Sequence, residues 1–204
     1  MLIISATITA YSQHYVGVKN AYGITGVMDD PDINSKTINS TFNPGIVHRY
    51  EHKNYFAIQT EFNHISKGFH RLDINKETGE VLSDTTHKIS AFQLPFTTQI
   101  FYRFGWFRPY VAGGAYLGYI SNRKVEYENI SKDYIWDNND KRFEYGIIGG
   151  AGMAFTISRF ELQAEWRYEF SFSFLRKPHI NGISQYLNSN QMMISLTLLY
   201  RLGK

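Results

Sequence analysis

The residues best suited to enzymatic chemistry form a short group of serine and histidine side chains. His64 and Ser66 share one face of an alternating segment, and His70 follows. Serine and histidine can act as nucleophile and general base, so this group could hydrolyse an acyl bond. No acidic residue that would complete the set can be identified in the sequence. We therefore predict no catalytic site.

Two other patterns suggest metal binding. His48 and His52 share a strand face, but four residues of strand separate them by about 13 Å, too far to share one ion. Carboxylate and amide side chains that could bind Ca²⁺ occur in two polar segments, at Asp29, Asp30 and Asp32 and at Asp137, Asn138, Asn139 and Asp140. Both segments lack the glycine and distal glutamate spacing of a calcium loop. The sequence therefore predicts no metal site.

Cofactor and nucleic-acid binding are also disfavoured. The segment Gly149-Gly150-Ala151-Gly152 has the glycine content of a dinucleotide loop, but it lies inside a strand pattern with no helix after it. The chain has no cysteine, which excludes thiolate metal ligands, cysteine nucleophiles and disulfides. Its net charge is only +3, with Lys and Arg scattered singly, whereas nucleic-acid binders carry a basic patch. We expect no cofactor and no nucleic-acid partner.

Eight segments have the residue pattern of β-strands. Over 159–174, apolar residues alternate strictly with polar ones, which is the period of a strand with two different faces. Segments 191–202 and 92–103 repeat this alternation, and 55–68 shows it more weakly. The remaining candidate strands are 14–23, 42–52, 109–122 and 141–157. An even number of long strands is typical of a transmembrane β-barrel.

The predicted connections alternate between short and long. Tight turns are expected at Lys53-Asn54, Gly105-Trp106-Phe107 and Ser158-Arg159, whereas the other connections, 24–41, 69–87, 123–140 and 175–189, are long and polar. This alternation puts every long connection at one end, as in barrels with short periplasmic turns and longer outward loops. No apolar run reaches the ~18 to 20 residues of a membrane helix. We predict an all-β fold, an eight-stranded antiparallel up-and-down transmembrane β-barrel.

Side-chain volume predicts which face of each strand lies inside. A soluble lipocalin-like barrel would turn the apolar face inward. However, the interior of an eight-stranded barrel is only wide enough for its own side chains. The Phe, Trp, Tyr and Leu residues of three strands already exceed that space, so the apolar faces are expected in lipid. Small residues should leave room inside for longer ones; they are Ala112, Gly114, Gly118, Gly146, Gly150 and Gly152.

The polar faces should then form a carboxylate–guanidinium network that plugs the lumen, because buried charges persist only when they are paired. Its expected members are Glu61, Arg103, Glu144, Glu161, Glu165, Arg167, Glu169 and Arg201. Aromatic residues near strand ends are expected to form interfacial girdles. These residues are Tyr22, Tyr50, Tyr55, Trp106, Tyr110, Tyr119 and Trp136.

The first twelve residues, MLIISATITAYS, are short, apolar and rich in small side chains, which is typical of the end of a secretory signal peptide. The predicted organisation is a signal-peptide remnant at 1–12 and an outer-membrane β-barrel domain at 13–204. A short first strand is the alternative for 1–12.

Several of these strand segments carry a family resemblance. They include Val16-Gly17-Val18-Lys19, Phe92-Gln93-Leu94-Pro95, 108–119 and 144–152. Through them the chain resembles the PorT-like outer-membrane β-barrel proteins of the Bacteroidota. It departs from that pattern at Asn20-Ala21-Tyr22-Gly23 and at the end, Tyr200 to Lys204, where many barrels finish on an aromatic residue. The resemblance implies a bacterial outer-membrane location and a role in assembly of the type IX secretion system.

The favoured interpretation is a non-enzymatic outer-membrane barrel that serves as a structural or interaction component. Its expected partners are outer-membrane lipid and other envelope or secretion proteins. The alternative is a lipid-modifying enzyme of the lipase or lipid A deacylase type, with His64 and Ser66 near the outer lipid interface. A soluble ligand-binding barrel is the third possibility.

Overall fold

The computed structural model describes residues 12–28, 34–52, 55–74, 81–127, 130–133, 142–173, 179–180, 183–184 and 188–203. The strands are β1 Ser12–Met28, β2 Asn34–His52, β3 Phe56–Ile74, β4 Val81–Phe101, β5 Phe107–Tyr127, β6 Ile130–Asp133, β7 Phe143–Ile157, β8 Phe160–Ser171, β9 His179–Ile180, β10 Ile183–Ser184 and β11 Asn188–Leu202. Within these ranges, no helix is long and apolar enough to cross a membrane.

Eight of the strands close into an antiparallel barrel. Strands β1 to β5, β7, β8 and β11 pair in sequence order, and β1 closes on β11. The stagger of the strands can be read from their paired residues. A path that starts at Thr25 of β1 and passes from each residue to its partner on the next strand returns to β1 at Tyr15, ten residues from where it began. Such an offset tilts the strands by about 40° in a barrel of this size. The predicted fold is confirmed.

The two faces of the strands have the predicted orientation. In β8, Glu161, Glu165 and Arg167 are at most 3% exposed, whereas Leu162 and Trp166 are 46–47% exposed. The same alternation places large apolar side chains on the outside of β1, β4 and β11. A soluble lipocalin-like barrel requires the opposite arrangement, so that alternative is wrong.

The barrel has two different ends. The short connections after β2, β4 and β7 lie at one end, together with the beginning of β1 and the end of β11. We call this the turn end and the opposite one the loop end. In barrels of this type the short turns are periplasmic.

The prediction of four long irregular connections is wrong over much of their length. Strand β3 continues to Ile74, β4 begins at Val81, and β5 continues to Tyr127, so the pairing extends through segments whose composition resembled loops. Where a sheet stands in water, polar residues such as Thr, Ser and Lys can occupy both of its faces. The sequence then lacks the alternation of apolar and polar residues by which a strand is recognised. Trp136 and the two polar segments that were considered and rejected as Ca²⁺ loops lie outside the described residues.

The pairing of β2 with β3 is interrupted near the loop end. Between the pairs Thr37–Phe69 and Gly45–Asn63, β2 contains two more residues than β3. Asn43 replaces the missing ladder bonds: its Nδ2 donates to the Ala21 carbonyl (3.1 Å), and its Oδ1 accepts from the Ser66 amide (2.7 Å). This side chain therefore links three strands across the irregularity.

Of the aromatic residues predicted to form girdles, the described ones face outward except Tyr110, for which the prediction is wrong; whether the others lie at the membrane interfaces stays a prediction. Tyr22, Tyr55, Trp106 and Tyr119 are exposed on the outer surface, and Tyr50 is half-buried among outward-facing rings. Tyr110 is 4% exposed and lies inside the barrel. Gly152 makes this possible, because a Cβ at that position would lie 2.6 Å from the Tyr110 ring.

Candidate functional site in the barrel lumen

The eight residues predicted to plug the lumen all lie on inward faces. Six of them are fully buried: Glu61, Glu144, Glu161, Glu165, Arg167 and Glu169. Arg103 and Arg201 are half-buried at the turn end. Arg103 pairs with Glu51, whereas no ion pair is found for Arg201 among the described side chains. The structure thus brings most of the predicted set into one network.

The layer nearest the turn end contains three arginines and two glutamates. Arg108 donates to Glu51 (2.9 Å) and to Glu161 (2.6 Å). Arg49 binds Glu161 through both terminal nitrogens, one of them at 3.1 Å, and Arg103 donates to Glu51 at 2.5 Å. These contacts join β2, β5, β8 and the β4–β5 turn across the lumen.

Aromatic rings cover two of these guanidinium groups. The Arg49 guanidinium carbon lies 4.0 Å from the centre of the Tyr15 ring, and that of Arg108 lies 4.4 Å from the centre of the Phe101 ring. Desolvated cation–π contacts of this kind contribute about 2 kcal/mol or more. The rings also replace water around cations that are at most 1% exposed.

Glu61 is the centre of the middle layer. It accepts two hydrogen bonds from Arg167, at 2.7 and 3.0 Å, and one from Lys19 at 2.9 Å. Gln59 and Asn63 donate to it at 2.7 and 2.8 Å. A buried carboxylate requires such partners to remain charged, and here two cations and two amides provide them.

Arg167 connects this centre to a second carboxylate. Its Nε donates to Glu165 at 2.7 Å, and the Tyr110 hydroxyl donates to the same carboxylate at 3.0 Å. Within the middle layer, Lys19 and Arg167 balance the charges of Glu61 and Glu165. The layer is therefore neutral and joins β1, β3, β5 and β8.

The layer toward the loop end is less completely bonded. Lys67 donates to Glu144 at 2.7 Å. Both carboxylate oxygens of Glu169 and both amide atoms of Gln93 and of Gln191 are buried without a hydrogen-bond partner among the described residues. Buried polar groups of this kind are normally hydrated. The dense part of the plug is thus the half nearest the turn end.

Five charged members of the network were missed from the sequence: Lys19, Arg49, Glu51, Lys67 and Arg108. The available signal was their position on the strand. Lys67 lies six residues after Glu61 and hence on the same face, and Arg108 lies four before Ala112. Lys19, Arg49 and Glu51 were missed because apolar and polar residues alternate only weakly in β1 and β2.

The serine and histidine candidates do not assemble into a catalytic set among the described residues. The His64 ring packs edge-on against Phe92 with ring centres 5.5 Å apart. The Ser66 amide binds Asn43, and no acidic partner of His64 is found in the described part of the chain. The side chain of His70 lies outside it.

Comparison with known proteins agrees with this architecture. A family model described as outer membrane protein beta-barrel domain matches residues 11–177. No curated protein gives a significant sequence match.

Two solved structures illustrate the shared fold. The chain is similar to the outer membrane protein OprG from Pseudomonas aeruginosa, with 9% identity, a TM-score of 0.57 and coverage of 94% of this chain and 97% of that one. It is also similar to Neisserial surface protein A, with 12% identity, a TM-score of 0.50 and coverage of 92% and 98%. At these identities the likeness concerns the fold alone.

Proposed function

Because this chain belongs to the outer membrane protein beta-barrel domain family and resides in the bacterial outer membrane, we propose that it is a closed, non-enzymatic scaffold that binds other envelope proteins. The observation that carries this proposal is the ion-paired network that crosses the lumen at two levels. The Arg49–Glu161 and Arg108–Glu161 pairs cross it near the turn end, and the Arg167–Glu61 pair crosses it further along.

The network opposes conduction for an energetic reason. A solute would have to displace pairs whose side chains are at most 1% exposed. Separating one partner of a buried pair costs about 3 to 5 kcal/mol, because the remaining charge is left without water or counter-charge. A lumen with two such layers favours a structural role over transport.

The length of the described strands β2 to β5 supports a role in binding. Strands β2 to β5 contain 19, 19, 21 and 21 residues, whereas β7, β8 and β11 contain 15, 12 and 15. A tilted strand crosses a membrane in about 9 to 11 residues. Strands β2 to β5 therefore continue beyond the membrane at the loop end as a broad sheet, which a protein partner could contact. Assembly of a secretion machine, as the PorT-like resemblance implies, is one version of this role.

Electrical recordings test whether the lumen is closed. Purified protein inserted in planar lipid bilayers should give no stable unit conductance. The double variant Glu61→Ala with Arg167→Ala should also stay closed, because the turn-end layer is intact, whereas adding Arg49→Ala and Arg108→Ala removes the pairs of both layers and should give conducting events. Regular conductance steps from the unaltered protein would refute the closed scaffold.

Genetic replacement tests the binding role. A strain in which residues 70–85 are replaced by a short turn should retain the barrel but lose partners that cross-link to the wild-type protein in intact cells. The matched control replaces Arg159 in a tight turn. A deletion strain with normal envelope integrity and normal secretion would contradict the proposal.

A further inference from the structure

We infer that a pair of histidines on the outer surface, His14 of β1 and His48 of β2, forms a binding site for a transition-metal ion such as Zn²⁺. The sequence suggested only His48 and His52, which are too far apart along one strand. The structure supplies a partner from the neighbouring strand instead: His14 Nδ1 lies 3.2 Å from His48 Nε2.

The strand register explains how the two rings meet. His14 is paired with Tyr50, and His48 is paired with Val16, so the two histidines are diagonal neighbours on one outer face. The Tyr50 ring packs against the His14 ring at 5.1 Å and restricts its orientation. Both histidines are exposed near the turn end: His14 lies two residues after the start of β1, and His48 lies four residues before the end of β2.

The distance between the two nitrogens is suitable for chelation. Imidazole nitrogens bind Zn²⁺ at about 2.0 to 2.1 Å, so nitrogens 3.2 Å apart would subtend roughly 103° at the metal, near the tetrahedral angle. The ring centres are 5.5 Å apart, which means that the two nitrogens face each other in the absence of metal. A pivot of each ring by roughly 40° would direct both lone pairs at one ion.

The expected site is open. The described residues contain no group of three or more His, Cys, Asp or Glu side chains that could hold a metal. Two imidazoles would therefore provide half of a tetrahedral shell, and water or a lipid phosphate oxygen would complete it. The bound ion would also join β1 to β2 near the beginning of the barrel.

Zinc titration of the purified, chelator-treated barrel in a non-ionic detergent tests this inference. Isothermal calorimetry should show saturable binding of one Zn²⁺ ion per barrel. His14→Gln and His48→Gln should each weaken Zn²⁺ binding roughly tenfold or more, since even the loss of a residue that only hydrogen-bonds a metal ligand has an effect of that order. His52→Gln and His64→Gln are the matched controls and should bind as the unaltered protein does.

Nitrogen NMR of the unaltered protein provides a test that needs no variant. Histidine side-chain ¹⁵N spectra should show His14 Nδ1 and His48 Nε2 shifting on addition of Zn²⁺, while the His52 and His64 nitrogens stay in place. Absence of saturable binding, or binding that survives both His14→Gln and His48→Gln, would overturn the inference. Either result would leave the pair as two hydrogen-bonded imidazoles.

Discussion

Replacing Arg167 with methionine should be among the most destabilising single changes in this barrel. The guanidinium makes two hydrogen bonds to Glu61 and binds Glu165 through Nε, all in a region with at most 3% exposure. Methionine fills similar space but leaves both carboxylates without this cation. Glu61 retains Lys19, whereas among the described side chains Glu165 retains only the Tyr110 hydroxyl.

The expected loss is about 3 to 5 kcal/mol, the cost of leaving buried charges without a partner. Summing the separate charge-assisted hydrogen bonds, at about 1.5 to 3 kcal/mol each, would exceed this range, because bonds in one network are not additive. The double variant Arg167→Met with Glu61→Gln removes the positive charge of Arg167 and the negative charge of Glu61 together. We expect it to lose about 1 to 3 kcal/mol less than the sum of the single variants.

Equilibrium unfolding in urea, with the barrel in phospholipid vesicles and tryptophan fluorescence as the signal, measures these free energies. Arg159→Met is the control, because Arg159 is exposed in a turn and its guanidinium, among the described side chains, hydrogen-bonds only to the Tyr200 hydroxyl at 3.3 Å. Its effect should stay within about 0.5 kcal/mol. An Arg167→Met loss below about 1 kcal/mol, or strictly additive single variants, would refute the view that the lumen is held by mutual pairing.

Three further predictions concern the wall of the barrel. Gly152→Ala should cost about 1 to 3 kcal/mol in the same unfolding assay, because its Cβ would meet the Tyr110 ring, whereas Gly149→Ala, with nothing within 4 Å, should be tolerated. In vesicles, Leu196→Arg should lower the free energy of unfolding by about 2 to 4 kcal/mol, whereas Leu202→Arg, which lies near the turn end, should lower it by about 0 to 1 kcal/mol. Equal losses for the two variants would argue against lipid on this face. Asn43→Ala should speed hydrogen exchange of the β3 amide that it binds, and unchanged exchange would show that the irregularity does not depend on this side chain.

The fold could be predicted from sequence because an eight-stranded barrel follows from few physical constraints. Alternation over 159–174 defines two faces, and side-chain volume decides that Trp166 and its neighbours lie outside. Strand ends were harder to predict. Beyond the membrane neither face of β4 or β5 needs to be apolar, so the period that marks a strand disappears although the backbone pairing continues.

The site was predicted in part, for a related reason. Glu161, Glu165 and Arg167 lie on a strand with strict alternation, and their inward position could be derived from their neighbours. The partners of these residues come from other strands, and the ten-residue offset that decides which layers meet cannot be obtained from one strand alone. Arg49 opposite Glu161 and the His14–His48 pair both depend on that register.

The pairing pattern of the lumen also determines an order of assembly. The Arg49–Glu161 contact joins residues 112 positions apart, and Arg167–Glu61 and Lys67–Glu144 join residues 106 and 77 apart. None of these contacts can form within a single hairpin, so the three pairs form only after distant strands have come together. Because long-range contacts of this kind are slow to form, these pairs stabilise the finished barrel but cannot stabilise its first hairpins.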